Sequence, residues 1–253
     1  MKKLFSKRIL SILVAISFVF ICFATISCSS TKNTSSSESQ ISDLDLQVIN
    51  SDPAMNRQKV QNGTIIQCWC WSFNTIKENL PDIARAGFKA IQTSPINACR
   101  EGDEKGMALM SNTRTGGKWY YHYQPIAWKI GNYQLGTREE FKAMCEEAEK
   151  YGISVIVDVL PNHTSSYLPD VLPEFIEAVG GMDKLLHENG RRPIKNWSNR
   201  YEGTTGQMGG LPDVNTENPL FQEYFMDYMN DTILCGADGF RFDTAKHIGL
   251  PDD

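Results

Sequence analysis

From residue 64 onward, apolar and polar residues fall in alternating blocks. Thr64 to Trp71 (TIIQCWCW) is an apolar run that reads as a buried strand. Ile76 to Gly87 (IKENLPDIARAG) reads as a helix ending on Gly87, and Phe88 to Thr93 is the next strand, leading into Ser94-Pro95-Ile96-Asn97. A loop rich in glycine, asparagine and charge then runs to about Trp119. Thr137 to Tyr151 carries Phe141, Met144, Cys145 and Ala148 at helical spacing. Thr137 is its N-cap, Glu140 completes a capping box and Gly152 lies just past the end. Ile153 to Leu160 (ISVIVDVL) is a continuous apolar strand broken only by Asp158. Pro219 to Leu234 reads as a further helix and Gly239 to Thr244 (GFRFDT) as a short fourth strand.

Apolar strands that alternate with helices indicate parallel βα units. The rhythm fails between Thr164 and Pro212, a polar stretch dotted with Gly, Pro and Asn. A structureless loop of that length is uncommon, so a small inserted subdomain after the third strand is expected. A closed (β/α)8 barrel needs eight strands and typically about 250 residues. The expected class is therefore α/β, the N-terminal half of a (β/α)8 barrel with an insertion. Its segments are 61–163 for strands one to three, 164–212 for the inserted subdomain and 213–253 for the next helix and strand four. Taken literally, half a barrel leaves two open sheet edges and an exposed apolar interior.

The first sixty residues follow another pattern. Lys2, Lys3, Lys7 and Arg8 precede an almost unbroken apolar run from Ile9 to Ile26, the form of a secretory signal. The run ends Thr25-Ile26-Ser27-Cys28, which resembles a lipoprotein cleavage box with Thr25 where Leu is usual. The expectation is a lipoprotein-type signal over 1–28, with Cys28 lipidated and anchoring the protein to a membrane at the outer cell surface. An uncleaved anchor, or plain secretion, is the alternative. Residues 29–60, rich in Ser, Thr and Asn at the start, form a tether and lead-in.

Composition changes little in this picture. With 41% hydrophobic and 22% charged residues the chain is ordinary for a globular protein. A formal charge of −5, with no basic block past the signal, supplies no cationic face for nucleic acid. Five cysteines follow the signal region: Cys68, Cys70, Cys99, Cys145 and Cys235. Their spacing matches no zinc pattern, and they read as buried thiols, one disulfide being the alternative in an exported protein.

Two strands end in clusters that are costly to bury, DVLPNH from Asp158 to His163 and GFRFDTAKH from Gly239 to His247. Functional residues in parallel α/β folds gather at such carboxyl ends. Arg241 and Asp243 are two apart on a strand, so both point to the same side. An arginine beside a carboxylate favours its charged form, as a nucleophile at neutral pH requires. A structural ion pair at a strand end is the equal alternative from spacing alone.

DVLPNH and GFRFDTAKH resemble the first and second signature regions of the α-amylase family of glycoside hydrolases, family 13. Leu211-Pro212-Asp213-Val214-Asn215 resembles the additional signature at the end of that family's inserted subdomain. AIQTSPIN, YQPIAWKIGN, LGTREEF, IKNWSNR and ADGFRFDTAKHIGLPDD are similar to its saccharifying branch, so the likeness covers residues 60 to 253. The resemblance implies a retaining hydrolase of starch and malto-oligosaccharides. It implies Asp243 as nucleophile, oriented by Arg241. Tyr123, followed by Gln124, matches the tyrosine that stacks on the sugar next to the scissile bond. Asp158 and His163 would contact the same sugar, with Lys246 and His247 on the leaving-group side. It also implies a Ca2+ ion held by oxygen ligands: side chains of Asn162 and Asp213, backbone carbonyls of His247 and Thr204.

A retaining glycosidase needs a second carboxyl group roughly 5–5.5 Å from the nucleophile. In this family the acid is a Glu after strand five, and no residue of the 253 takes that role. The expectation is a chain inactive alone and monomeric. Alternatives are a transglycosylase, or a non-catalytic glucan-binding lipoprotein of the same fold.

Overall fold

The computed structural model describes residues 63–101 and 118–251. Cys28, the signal and the tether lie outside the described residues. In chain order the strands are β1 (Ile65–Cys68), β2 (Ala90–Thr93), β3 (Asn97–Cys99), β4 (Pro125–Ile130), β5 (Ser154–Val159) and β6 (Gly239–Phe242). The helices are α1 (Phe73–Arg85), α2 (Arg138–Lys150), α3 (Pro173–Ala178), α4 (Met182–Leu185), α5 (Arg200–Thr205) and α6 (Pro219–Leu234). Short 3-10 turns cover Trp119–Tyr123, Leu168–Asp170 and Ala245–His247.

β1, β2, β5 and β6 pair side by side in that order, all parallel, with α1, α2 and α6 as crossover helices. Central strands β2 and β5 are buried along nearly their whole length, as strands covered on both faces must be. The outer strands β1 and β6 are largely exposed, because each has a neighbour on one side only. This is the architecture of the first half of a (β/α)8 barrel, with an insertion after its third parallel strand, β5.

Local chemistry sets the helix limits. α1 starts at Ser72, whose hydroxyl accepts from the Thr75 N–H, four residues before the expected start. α2 carries the expected capping box between Thr137 and Glu140. α6 runs over the expected span, capped by the Asn218 side chain. Apolar faces of α1, α2 and α6 meet the sheet in one core that includes Phe73, Ile91, Phe141, Val157 and Phe221.

Two expectations need correction. β1 is four residues long rather than eight and is fully buried only at Cys68, because the chain turns at Trp69–Cys70 and the strand forms a sheet edge. The stretch expected to be loop up to about Trp119 begins instead with a strand, and a further strand, not foreseen, follows it. β3 and β4 form a separate antiparallel sheet there, with an irregular register. Its pattern is hard to read because Ala127 and Trp128 are both buried and adjacent, so period-two alternation is lost. Trp128 packs edge-on against Phe175 of α3 and Phe221 of α6, which ties this sheet to the insertion. Residues 164–212 hold α3, α4 and α5 joined by turns, so the insertion has structure of its own.

The five cysteines among the described residues are all buried free thiols. Burial pushes Cys68 and Cys70 up to about 11 and Cys99 up to about 12.

Candidate active site

β5 and β6 run in register, placing Asp158 opposite Arg241 near their carboxyl ends. The Asp238 carboxylate at the start of β6 accepts from the Val155 N–H at 2.8 Å and helps to fix that register. Arg241 Nη1 donates to Asp158 Oδ1 at 2.9 Å and Oδ2 at 3.1 Å, and lies 2.7 Å from Asp243 Oδ1. One guanidinium therefore holds two carboxylates. Asp158 is fully buried while Asp243 keeps 21% of its side chain exposed, so Asp243 is the one of the two open to a ligand. The Asp243 N–H donates to the Val159 carbonyl at 2.8 Å, which anchors the residue just past β6. Thr244 follows with φ of 53°, a left-handed conformation that a β-branched residue rarely adopts. Strain of this kind is tolerated where surrounding contacts enforce it, often at functional sites.

Tyr123 closes the cluster from the side of β4. Its hydroxyl donates to Asp158 Oδ2 at 2.9 Å, and its carbonyl lies 3.0 Å from His163 Nε2. Burial pushes the Tyr123 phenol up, and the neighbouring Asp158 charge adds to this. Burial also pushes the Asp158 carboxyl up, while the Arg241 and Tyr123 donors pull the other way. Burial lowers His163, which favours its neutral ring. Direct sugar contact was expected of Asp158 and His163. Both side chains are buried in this structure, and both bond to Tyr123. Gln124 is also buried, and its side-chain oxygen accepts from Ser166 Oγ at 2.9 Å and the Ser166 N–H at 3.2 Å.

Beside Tyr123 stands an aromatic ledge that sequence patterns did not single out. Trp69 meets Trp119 edge-on at 5.2 Å, and Trp119 meets Tyr123 at 6.1 Å. Trp69, Trp119 and Tyr120 are each about two-fifths exposed. The ledge joins the end of β1 to the turn before β4, an adjacency no local spacing reveals.

On the other flank, Lys246 is exposed and His247 is buried. His247 Nδ1 lies 2.7 Å from the Gly203 carbonyl, next to Thr204, and its ring meets Trp197 edge-on. The guanidinium of Arg200 binds the carbonyls of Lys246 and Ile248, so α5 and the Ala245–His247 turn are joined.

The remaining expected ion ligands fit a cation in part. The Val214 N–H donates to the Asn162 carbonyl at 2.8 Å, which brings Asn162 alongside Asp213. Asp213 Oδ2 lies 2.7 Å from His187 Nδ1, whose Nε2 lies 2.6 Å from Glu217 Oε2. Asp213 Oδ1 and Asn162 Nδ2 are buried and neither makes a hydrogen bond of ordinary geometry among the described residues. Burial pushes the Asp213 carboxyl up to about 6, although the nearby Asn162 amide pulls it down. An orphaned, desolvated carboxylate oxygen is what a hard cation would satisfy. Among the described residues no three His, Cys, Asp or Glu side chains cluster as a metal site, so main-chain oxygens would have to complete the set.

Residues 71–253 match the family model described as alpha amylase, catalytic domain. The chain is 52% identical over 199 residues to an alpha-amylase of Butyrivibrio fibrisolvens, covering 79% of this chain and 20% of that protein. It is 37% identical over 197 residues to an alpha-amylase of Clostridium acetobutylicum, covering 76% and 24%. The chain thus spans about a fifth to a quarter of the length of these curated relatives. Among solved structures, an Anoxybacillus alpha-amylase superposes with a TM-score of 0.55 at 30% identity, covering 70% of this chain and 34% of that one. Alpha-amylase I from Eisenia fetida shares the fold with a TM-score of 0.61 at 20% identity, covering 74% and 38%. The matched signatures sit where the two strand ends bring Asp158, Arg241 and Asp243 together, and the chain belongs to the alpha-amylase family.

Proposed function

We propose that the protein carrying this chain hydrolyses α-1,4-glucosidic bonds within starch and malto-oligosaccharides, with retention at the anomeric carbon. The observation that carries this reading is the Arg241 fork between buried Asp158 and accessible Asp243. Asp243 attacks the anomeric carbon and forms the covalent glycosyl-enzyme, and Arg241 holds its carboxylate in line and charged. Tyr123 presents its ring to the apolar face of the sugar being cleaved, with its hydroxyl fixed on Asp158. Gln124 offers its amide nitrogen to the sugar, since its oxygen is already engaged. Lys246 and His247 flank the leaving group. The exposed ledge of Trp69, Trp119 and Tyr120 suits a row of further sugar rings. The Eisenia fetida relative was solved with maltohexaose, which is consistent with such a substrate.

The general acid comes from a strand outside these 253 residues. Asp158 is excluded from that role because three hydrogen bonds from Arg241 and Tyr123 saturate it. Accordingly, the purified 253-residue chain releases no dye from a coloured starch, and clear release would sink this assignment.

Asn162 and Asp213 side chains, with the carbonyls of Thr204 and His247, would hold a Ca2+ ion. Bound there, it supplies positive charge to Asp213 and cross-links the insertion to the barrel. We further propose export and tethering through a lipid on Cys28, supported by the basic and apolar pattern that precedes it. Metabolic labelling with a radioactive fatty acid, lost in Cys28→Ala, tests that.

A further inference from the structure

Arg100 has no place in the chemistry so far, yet it gathers several partners beside the site. It lies one residue past β3, and its N–H donates to the Gln124 carbonyl at 2.9 Å. Its Nη1 donates to Ser166 Oγ at 2.9 Å and reaches Gln124 Oε1 at 3.4 Å. Its guanidinium carbon lies 5.2 Å from the Tyr121 ring centre and 5.7 Å from that of Tyr167. Asp170 Oδ2 stands 3.4 Å from Nε. Gln124 Oε1 is itself bound by both the N–H and the hydroxyl of Ser166. One planar group thus clamps two segments together: Tyr121–Gln124, and the Ser165–Asp170 turn that follows His163.

Tyr123 is mounted between two residues of that clamp, Tyr121 and Gln124. The ion pair to Asp170 is partly exposed and adds little by itself. What the clamp does is geometric. A planar fork that donates in its plane while its faces meet aromatic rings has one orientation, which a lysine cannot reproduce.

We propose that Arg100 is a positioning residue: it fixes the turn carrying Tyr123, and so holds that ring and hydroxyl against Asp158 and the reaction centre. The proposal rests on the hydrolase reading above. Arg100 touches no reacting atom and acts through Gln124 and Tyr121. Because Tyr123 serves the sugar being cleaved, the loss should fall on kcat, while binding of a long glucan, spread over several rings, stays nearly constant.

The test uses the full-length protein with Arg100→Met and Arg100→Lys, each assayed on a maltoheptaoside carrying a chromogenic leaving group. The main-chain bond from residue 100 to Gln124 survives both changes, so β3 and β4 still pair. Arg100→Met should lower kcat per folded molecule roughly 10- to 100-fold, in the range that a displacement of about 1 Å produces, with KM nearly unchanged. Arg100→Lys should fall between Met and wild type. A kcat per folded molecule within twofold of wild type in Arg100→Met, whatever the change in melting temperature, overturns the proposal. If the wild type itself cleaves no α-1,4-glucan, the functional reading fails separately. A crystal structure of Arg100→Met then decides: displacement of the Tyr123 hydroxyl from Asp158 supports the clamp, and an unchanged 2.9 Å bond overturns it.

Discussion

Two buried polar clusters, one on β5 at Asp158 and one against the segment that follows it at Asp213, are finished differently. Around Asp158, both carboxylate oxygens are saturated by Arg241 and Tyr123. Around Asp213, one oxygen is bound by His187 and the other makes no hydrogen bond of ordinary geometry among the described residues. A satisfied cluster needs nothing further to hold its shape, so its geometry is ready before a ligand arrives. An unsatisfied one carries a desolvation cost of about 1–3 kcal/mol per polar group until something fills it. Under the function proposed above, the contrast separates a preorganised reaction centre from a joint that a cation would complete.

The largest effect should come from the exposed end of the satisfied cluster. In the full-length protein, Asp243→Asn is expected to lower kcat by roughly four orders of magnitude, with malto-oligosaccharide binding retained by calorimetry. A near-normal kcat removes Asp243 from the nucleophile role and leaves Arg241 as a structural pair. Next is the buried end. Arg241→Met strands a fully buried carboxylate, and stability should drop by about 3–5 kcal/mol at neutral pH in denaturant unfolding. That loss should shrink as pH falls, because a protonated Asp158 needs no counter-charge.

For the unsatisfied cluster the prediction is reversed: removing the ligand, not a residue, should do the damage. If calcium is present at about a hundred times its dissociation constant, EDTA should cost about 3 kcal/mol of stability, read as a fall in melting temperature. Asp213→Asn should abolish that response. An EDTA-insensitive wild type would falsify the calcium assignment.

The smallest effect qualifies the contrast, since the reaction side is not wholly satisfied. His122, next to Tyr123, is fully buried and neither ring nitrogen has a partner among the described residues. Burial lowers it to about 4 from an ordinary 6.5. The unfolded chain therefore binds the proton more tightly, and stability is full above about pH 6.5 and is lost as pH falls toward 4. Over that window the loss should approach, and not exceed, about 3 kcal/mol. His122→Leu should flatten the pH dependence of the melting temperature over this range. An unaltered slope would show that other groups carry it.

The parts of the fold that could be read in advance are those whose cause is local. The capping box of α2 lies within four residues, and α6 is bounded by Asn218 and Pro219 at one end. β5 announced itself as an apolar run broken by one acid. β3 and β4 did not, because the chain between them is long and Trp128 is buried by helices more than forty residues away. β1 was overread for a related reason: apolar residues predict burial only where a neighbour exists to bury them.

The site divides in the same way. Arg241 and Asp243 could be paired from their spacing on one strand, and the signatures around them marked the family. That Asp158 is the saturated hub of the cluster, that His187 joins Asp213 to Glu217, and that Arg100 clamps the Tyr123 turn all depend on contacts between residues 24 to 83 positions apart. The chain's own order thus determined β2, β5 and β6, the helix caps and the acidic and basic residues at the strand ends, because each arises from neighbours within a few residues. Only the folded arrangement decided which carboxylate is sealed and which is open, since burial and hydrogen-bond saturation belong to the packing of distant segments and not to any one of them.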